Sequence, residues 1–301
     1  MAVQEQSAPN VRGKTGTYKA EPDNGFSWGI VGRYVAIVVV AFLALAPFYW
    51  AFITSIKSNL EQNFSPPTIV PESFTLSNYG NAFTSVAPAF AKDLLNSFIV
   101  ASCTTILALI VGSLCAYAIA RMQFKGKGAV LGIVLSVNLF PLVAIVGPLY
   151  VLFTGPIYVY NTYIALIIPL LVISLPLTVW FLTSFFRDLP PDLEEAALVD
   201  GDTRLGALWH VVLPLTAPGV FTAAILSFIA AWSDFITGLV LTTDSTAQPV
   251  TVAIPAFNGE HLIQYGEIAA AAIIVTIPLV VMVLIFQRRI VSGLTAGAVK
   301  G

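Results

Sequence analysis

Residues 188–214 have the sequence DLPPDLEEAALVDGDTRLGALWHVVLP and separate two long apolar stretches of the chain. We call this stretch the acidic segment, because six of the sixteen Asp and Glu residues lie between residues 188 and 202. On insertion scales, a charged residue at the centre of a membrane helix costs about 2.5–3.5 kcal/mol. The acidic segment must therefore lie outside any bilayer that its apolar neighbours cross.

The acidic segment has the pattern of two short helices joined by a turn. Pro190 and Pro191 favour a helix start, and Gly201 favours a helix end. Asp202 or Thr203 can cap a second helix. A compact helix-turn-helix of this kind can insert into a groove of a partner protein. A solvated amphipathic connection between two membrane helices is the alternative.

The composition indicates a membrane protein. Of 301 residues, 57% are hydrophobic and only 10% are charged, whereas soluble domains carry about 25% charged residues. The net charge of −2 provides no basic surface for nucleic acid. Six stretches have the roughly 20 apolar residues that a spanning helix needs, namely about 31–55, 95–120, 129–153, 163–186, 217–241 and 267–287.

The cations predict the orientation of the chain. If the N-terminus is cytoplasmic, only Lys57 and Lys92 of the fourteen Lys and Arg residues face outside, a strong positive-inside bias. The other twelve face the cytoplasm: Arg12, Lys14, Lys19, Arg33, Arg121, Lys125, Lys127, Arg187, Arg204, Arg288, Arg289 and Lys300. We therefore expect a multi-pass protein of the cell (inner or plasma) membrane with both termini in the cytoplasm.

This topology divides the chain into a tail and one membrane domain. Residues 1–29 are polar and predict a flexible cytoplasmic tail, and residues 30–301 predict a six-helix transmembrane domain. Within that domain, residues 56–94 and the loop 242–266 are expected outside. Residues 288–301 are expected to form a cytoplasmic C-terminal tail.

Motifs for catalysis or metal binding are absent from the sequence. APNVRGKT (8–15) has Ala8 where a phosphate-binding loop needs its first glycine, and no GxSxG or HExxH occurs. His210 and His261 fall on opposite sides of the predicted membrane, so they cannot share a metal ion. We expect neither an enzyme nor a metal site.

The acidic segment carries a resemblance to a known family. Glu195-Ala196-Ala197, Gly201 and Leu213-Pro214, with Val211 where isoleucine is usual, resemble the EAA motif of ATP-binding-cassette importer permeases. LSNYGNAF (76–83), LLNSFIVA (94–101) and GLTAGAVKG (293–301) resemble the maltose and trehalose type of sugar permease. The resemblance covers most of residues 30–301. It implies an all-α membrane protein with six transmembrane helices, an importer-permease (MetI-like) helical core and a cytoplasmic coupling helix.

The resemblance also implies roles for individual residues. Glu195 would pair with a cation of a separate ATPase subunit, Ala196 and Ala197 would permit close approach, and Gly201 would form the bend. In the C-terminal tail, Thr295, Lys300 and Gly301 would contact the ATPase subunits, with simple fraying as the alternative. The implied partners are a second homologous permease, two ATPase copies, an external sugar-binding protein and the bilayer. ATP and Mg would be bound by the ATPase, with no cofactor in this chain.

Polar residues inside the spans are candidates for a solute path. Trp232, Ser233 and Asp234 are candidates in one predicted span, where the carboxylate of Asp234 must face protein or water. Its alternatives are a cavity lining that touches sugar hydroxyls and a structural hydrogen bond between helices. Asn138 and Tyr150 are further candidates for the path, with packing as their alternative. Asn258, Gly259 and Glu260, at the predicted tip of the loop 242–266, would reach toward the binding protein, or simply be solvated.

The spans also contain features that predict how helices pack. Gly112, Ala116 and Ala120 form a small-xxx-small ridge that is typical of close helix contact. Several prolines interrupt predicted spans and could introduce bends, among them Pro141, Pro148, Pro169, Pro176 and Pro278.

The resulting prediction is a permease subunit of an ATP-driven importer for a sugar, such as the disaccharides trehalose or maltose. The same machine carrying glycerol phosphate or a polyol is the first alternative. An ion-coupled secondary transporter is the second, but such a protein is expected to hold several intramembrane charges, and here Asp234 stands nearly alone.

Overall fold

The computed structural model describes residues 28–84, 89–257 and 264–298. Within these ranges the regular elements are helical, apart from one isolated bridge between Lys57 and Phe74. The chain divides into two compact units, residues 1–47 and 48–301. The predicted all-α class is confirmed.

The helices follow one another with short connections. In chain order they are α1 (Trp28–Ser55), α2 (Ser77–Thr84), α3 (Phe90–Arg121), α4 (Lys127–Ser136), α5 (Leu142–Thr154), α6 (Tyr163–Asp188), α7 (Pro191–Val199), α8 (Arg204–Ala207), α9 (Leu213–Leu215), α10 (Ala217–Trp232), α11 (Ile236–Leu241), α12 (Val250–Ala253) and α13 (Tyr265–Ala298). A π-helical turn at Leu208–Val212 joins α8 to α9.

Four helices of the described residues are long and apolar enough to cross a membrane: α1, α3, α6 and α13. Two bent pairs raise the number to six if each pair counts as one span. One pair is Lys127–Leu139 with α5, bent by 87°, and the other is Arg204–Leu215 with α10, bent by 86°. The described residues therefore hold four to six candidate spans, and the predicted number of six is reached if each bent pair crosses the membrane.

Two predicted spans are broken rather than continuous. The stretch 129–153 bends at Phe140 and Pro141, where both residues are extended. A proline lacks the N–H that a helix needs, and it disfavours helical geometry in the residue before it. The stretch 217–241 stops being helical at Trp232, and helix α11 restarts only at Ile236. Of the prolines named above, Pro148, Pro169, Pro176 and Pro278 lie inside α5, α6 and α13 without ending them.

The two segments predicted as irregular near the C-terminus contain helices. The loop 242–266 includes α12 and a 3₁₀ turn at Ile254–Phe257. The predicted tail 288–301 is helical as far as Ala298, because α13 continues through it. Helix extension adds one hydrogen bond per residue once the helix exists, and no proline interrupts residues 288–298.

The centre of the larger unit is the packing of α3 against α6 and α10. Gly112 lies against α6 so closely that a Cβ atom there would be 2.7 Å from Thr178 Cγ2. Ala116 is fully buried in the same helix face, and Ala120 packs at the edge of the cluster that includes it. The predicted close contact along this ridge is confirmed.

Residues 56–84 fold around a buried carboxylate. Glu61 accepts hydrogen bonds from the Thr68 hydroxyl (2.6 Å) and from the backbone N–H groups of Glu72 (2.9 Å) and Ser73 (3.0 Å). The Thr68 hydrogen bond is the largest influence on Glu61, and together with the others it lowers the pKa to about 2. Gln62 accepts a hydrogen bond from the N–H of Gly266 (2.7 Å), which ties this segment to the start of α13.

Candidate functional site

The acidic segment folds as the predicted pair of helices with a sharp turn between them. Helix α7 ends at Val199, and Gly201 has φ +94°, a left-handed conformation that favours glycine. Of the two predicted caps, Thr203 caps α8, because its Oγ1 accepts the N–H of Gly206 (3.0 Å). Asp202 instead accepts the N–H of Thr203 (2.8 Å) and bonds His210 Nδ1 (3.0 Å), and the His210 bond lowers the pKa of Asp202.

One face of α7 is exposed and carries the motif residues. Glu195 and Ala196 are exposed, and Ala197 is half-buried. Within the described part of the chain, Glu195 makes no side-chain hydrogen bond and no ion pair. A small side chain next to a free carboxylate leaves the helix surface open to close approach.

A cleft of about 850 Å³ lies beside the contact between α7 and the C-terminal end of α3. It is lined by Ala120, Arg121, Met122, Gln123, Pro191, Glu194, Glu195, Leu198 and Arg204. The lining combines two carboxylates with two guanidinium groups, so the cleft is charged.

Glu194 is the residue of the acidic segment that the sequence analysis missed. It is only 6% exposed. The Tyr117 hydroxyl donates a hydrogen bond to Glu194 Oε1, and Arg121 Nε lies 3.4 Å from Oε2. Arg121 also donates from Nη2 to the carbonyl of Leu189 (2.8 Å). The available signal was the spacing of Tyr117 and Arg121, because residues four apart lie on one helix face.

The end of the motif lies where the chain turns toward α10. Leu213 is half-buried and packs against the cluster around Leu182 and Phe186, whereas Pro214 is exposed. Thr216 closes this turn by donating its hydroxyl to the carbonyl of Val212 (2.6 Å). Leu213 and Pro214 therefore fix the path of the chain between the acidic segment and the membrane helix.

Asp234 and Trp232 have partners within the protein. Asp234 Oδ1 accepts the Thr237 hydroxyl (3.0 Å), and Oδ2 accepts the N–H of Gly238 (3.3 Å), so the carboxylate caps the start of α11. Trp232 is 2% exposed and donates Nε1 to the carbonyl of Val275 (3.3 Å). Ser233 between them is exposed. These contacts support the structural alternative for Asp234 and place Trp232 in the core.

Asn138 and Tyr150 lie at different places along the broken span. Asn138 is exposed in the 3₁₀ turn Val137–Leu139, just before the break. Tyr150 is exposed on α5, and its ring meets that of Tyr160 edge-on with centroids 5.5 Å apart. Helix α11, which Asp234 caps, packs against α5. Among the described residues, Asn138 makes no side-chain hydrogen bond with Asp234 or Tyr150.

The loop 242–266 is held by residues that the sequence analysis did not single out. Asn96 donates to the carbonyls of Ser245 (3.1 Å) and Gln248 (3.0 Å). Its Oδ1 accepts the Tyr163 hydroxyl (2.7 Å). The first half of the loop is therefore fixed to α3 and α6. An asparagine in the apolar run LLNSFIVA was the available signal.

Several residues named from the sequence fall outside the described ranges or at their limit. Asn258, Gly259 and Glu260, assigned to the tip of the loop 242–266, lie outside the described residues. The same is true of Lys300 and Gly301. Thr295 lies within α13.

Comparison with known proteins agrees with this architecture. Residues 108–295 match the family described as binding-protein-dependent transport system inner membrane component. The spans and the motif-bearing acidic segment define a membrane-spanning transport component. The chain belongs to this family, so it is a transport subunit and not an enzyme.

Three curated relatives match over nearly their whole length. The chain is 42% identical to the trehalose transport system permease protein SugB of Mycobacterium tuberculosis, over 86% of this chain and 93% of the relative. It is 41% identical to the trehalose/maltose transport system permease protein MalG of Thermococcus litoralis (89% and 95%). It is 39% identical to the sulfoquinovosyl glycerol transport system permease protein SmoH of Agrobacterium fabrum (89% and 93%).

Two solved structures share the fold. One is a bacterial ABC transporter involved in the import of the acidic polysaccharide alginate, with a TM-score of 0.73 at 20% identity, over 86% of this chain and 95% of that chain. The other is a bacterial alginate ABC transporter in complex with an alginate pentasaccharide-bound periplasmic protein. Its TM-score is 0.64 at 17% identity, over 86% and 93%. At these identities the likeness establishes the fold.

Proposed function

We propose that the chain is one of two permease subunits of an ATP-driven importer for a small saccharide, delivered by an external binding protein. The observation that carries this proposal is the exposed face of α7 with Glu195 and Ala196, within a motif that keeps the family spacing. The family supports a transport subunit. The names of the relatives, which specify trehalose, maltose and a glycerol glycoside, support a saccharide.

In this proposal, α7 docks into a cleft of an ATPase subunit on the cytoplasmic side. Glu195 pairs with a cation of that subunit, since a desolvated charge pair sets register, and Ala196 allows the helix backbones to approach. The ATPase copies bind ATP and Mg, and their closure moves the acidic segment. The last residues, including Thr295, Lys300 and Gly301, are further ATPase contacts. The sorting of cations supports the placement of both termini in the cytoplasm.

The substrate is proposed to be trehalose or maltose, because two of the relatives that match over most of this chain are named for these sugars. A glycerol glycoside is the second candidate, favoured by the relative named for sulfoquinovosyl glycerol. Both candidates present many hydroxyl groups, which aromatic and amide side chains of a path can bind. Tyr150 and Asn138 are exposed at positions where they could do so.

Charge reversal at Glu195 tests the docking. The complete complex is purified with Glu195→Lys, and the ATPase subunit that co-purifies is measured, together with binding-protein-stimulated ATP hydrolysis and uptake in vesicles. We expect loss of the ATPase subunit and of uptake. Glu72→Lys is the matched control, because Glu72 is also an exposed carboxylate and lies in the segment 56–84. Normal ATPase recovery and normal uptake with Glu195→Lys would contradict the docking assignment.

Substrate identity is tested with the binding protein loaded with one probe at a time. ATP hydrolysis by the reconstituted complex is measured with trehalose, maltose or a glycerol glycoside. Stimulation by trehalose or maltose is expected. Stimulation by the glycerol glycoside alone would replace the disaccharide assignment with the second candidate.

A further inference from the structure

We propose that Tyr117, Arg121 and Glu194 form a rigid link that transmits movement of α7 to the membrane helix α3. The inference rests on the proposed function, in which α7 docks on an ATPase subunit. It assigns the two neighbouring glutamates different tasks: Glu195 faces the partner, and Glu194 faces this chain's own bundle. The three residues act as positioning residues for transport.

The link is built from buried charged and polar groups. The side chains of Arg121 and Glu194 are 9% and 8% exposed, and Tyr117 is also buried. The Tyr117 hydroxyl donates a hydrogen bond to Glu194 Oε1, and the Arg121 guanidinium forms an ion pair with Oε2 across 3.4 Å, without a hydrogen bond from Nε. The hydrogen bond and the ion pair both come from one face of α3 and hold the carboxylate beside that face.

Arg121 also holds the point where α7 begins. Its Nη2 donates to the carbonyl of Leu189 (2.8 Å), in the short connection between α6 and α7. The end of α3 therefore contacts this region at two points. One is the connection just before α7, and the other is Glu194 within α7. Because α7 is bound to α3 at two points, it cannot rotate independently of α3.

The link acts beside an apolar contact, because Leu208 and Val212 of the acidic segment lie in one buried cluster with Tyr117 and Leu182. Apart from these contacts, α7 packs mainly against α8 and the turn Leu208–Val212, which belong to its own segment. Helix α3, in contrast, packs extensively against α6 and α10 at the centre of the bundle. Movement received by α3 therefore reaches α6, which in turn packs against α4 and α11.

The chemistry of the link favours a positioning role. A buried ion pair contributes little net stability compared with apolar packing, but loss of one partner leaves an uncompensated buried charge. The carboxylate must lie close to the Tyr117 hydroxyl and to the Arg121 guanidinium at the same time. Such a pair favours one defined arrangement of the two helices, whereas contact between apolar side chains is less specific.

The experiment compares Glu194→Gln with the double variant Arg121→Gln/Glu194→Gln in the reconstituted complex. Glu194→Gln leaves Arg121 without its charge partner and lowers thermal stability, whereas the double variant removes both charges and recovers it. We expect both variants to retain the ATPase subunit. We expect trehalose uptake per ATP hydrolysed to fall about fivefold or more in both. Asp192→Asn, which alters an exposed carboxylate of the same helix, is the matched control.

A distance measurement provides a readout that needs no sugar. Spin labels are placed at Val199 and Leu107 after Cys103 and Cys115 are replaced by serine. Leu107 lies about 21 Å along α3 from Arg121, so the pair reports the relation of α7 to α3. The link predicts one unchanged distance distribution with and without ATP in the wild type, and a broadened one in the double variant.

The outcomes separate the link from the docking proposal. If the double variant recovers uptake per ATP together with stability, the pair is only structural and the link is overturned. Loss of the ATPase subunit with Glu194→Gln would also overturn it, since Glu194 would then belong to the docking contact. If Glu195→Lys keeps the ATPase subunit, the docking proposal fails, and the spin-label distances still decide whether α7 and α3 move as one body.

Discussion

Glu194 and Glu195 are neighbours in the chain but have opposite surroundings. Successive residues of an α-helix point about 100° apart, so one carboxylate of α7 faces the end of α3 and the other faces solvent. A helix that docks on a partner needs both arrangements at once. It must be held on one side and open on the other.

Gly201 is expected to be required by its backbone conformation. Its φ of +94° is left-handed, and no atom lies within 4 Å of where a Cβ would be, so Gly201→Ala tests conformation without steric crowding. We expect a destabilisation of about 1–2 kcal/mol, measured as a lower thermal midpoint of the purified complex. Gly128→Ala is the control, because Gly128 lies within α4 with equal open space and should be neutral or stabilising. Equal effects of both changes would contradict this explanation.

Asp234 is expected to act as a helix cap. Asp234→Ala removes the acceptors for Thr237 and the N–H of Gly238, and caps of this type contribute about 0.5–2 kcal/mol. We expect a lower thermal midpoint and an unchanged KM for trehalose uptake. The exposed neighbour Ser233 supplies the control, Ser233→Ala, with neither effect. A raised KM at unchanged stability would support the sugar-lining interpretation instead.

At the level of single residues, the sequence identified motifs better than contacts. Glu195 was identified through the resemblance to the family motif, and Gly201 was identified both through that motif and as a predicted helix end, because both signals are local in the chain. Glu194 was missed because its partners, Tyr117 and Arg121, lie more than seventy residues earlier in the chain. Trp232 was named for a solute path but lies in the core, since the sequence does not show which face of its helix meets α13.

Helices α3 and α6 meet at a glycine that leaves no room for a side chain. Gly112→Ala would bring a methyl group to 2.7 Å from Thr178 Cγ2. Thr178 is held in place, because its hydroxyl donates to Ser174 (2.9 Å) and bonds Ser227 (3.0 Å). We expect a loss of about 1–3 kcal/mol. Thr178→Ser in the same chain should restore the thermal midpoint, since it removes Cγ2 and keeps the hydroxyl. Failure of this rescue would show that another contact is responsible.

The fold of residues 56–84 is expected to depend on the charge of Glu61. The pKa of Glu61 is lowered from 4.5 to about 2, so its stabilisation is complete above about pH 4.5 and is lost as the pH falls toward 2. We expect the protection of residues 68–73 from hydrogen exchange, corrected for intrinsic rates, to decline over that range.

A variant isolates the carboxylate from other effects of acid. Glu61→Gln should raise the exchange of residues 68–73 about tenfold or more at neutral pH and remove its dependence on pH between 4.5 and 2. Glu72→Gln, an exposed carboxylate in the same segment, should behave like the wild type. Protection in Glu61→Gln equal to that of the wild type would mean that the charge is not what orders the segment.

At the level of elements, hydropathy predicted the spans but not their breaks. Pro141 ends a helix, whereas Pro148, Pro169 and Pro176 lie within helices. Membrane helices tolerate a proline when neighbouring groups satisfy the freed backbone carbonyl. Whether such neighbours exist depends on tertiary packing, and these four prolines look alike in the sequence.

For the whole molecule, the distribution of Lys and Arg residues along the sequence predicts which side of the membrane each segment faces. Val199 in the acidic segment is 87% exposed and Leu60 in the segment 56–84 is 81% exposed. With Cys103 and Cys115 replaced by serine, a cysteine at 60 should react with an impermeant maleimide in intact cells. A cysteine at 199 should react only in inverted vesicles. The reverse pattern would overturn the proposed orientation.

The length of α13 has a mechanical consequence. Its 34 residues extend about 51 Å, whereas the hydrocarbon core of a bilayer is about 30 Å thick. If the helix stands near the membrane normal, about 20 Å of it must project into water. A flexible tail would allow a bound protein to change its position relative to the membrane surface. A projecting helix is instead a spacer of fixed length. A partner that binds the chain near Ala298 is therefore held at a fixed distance from the lipid.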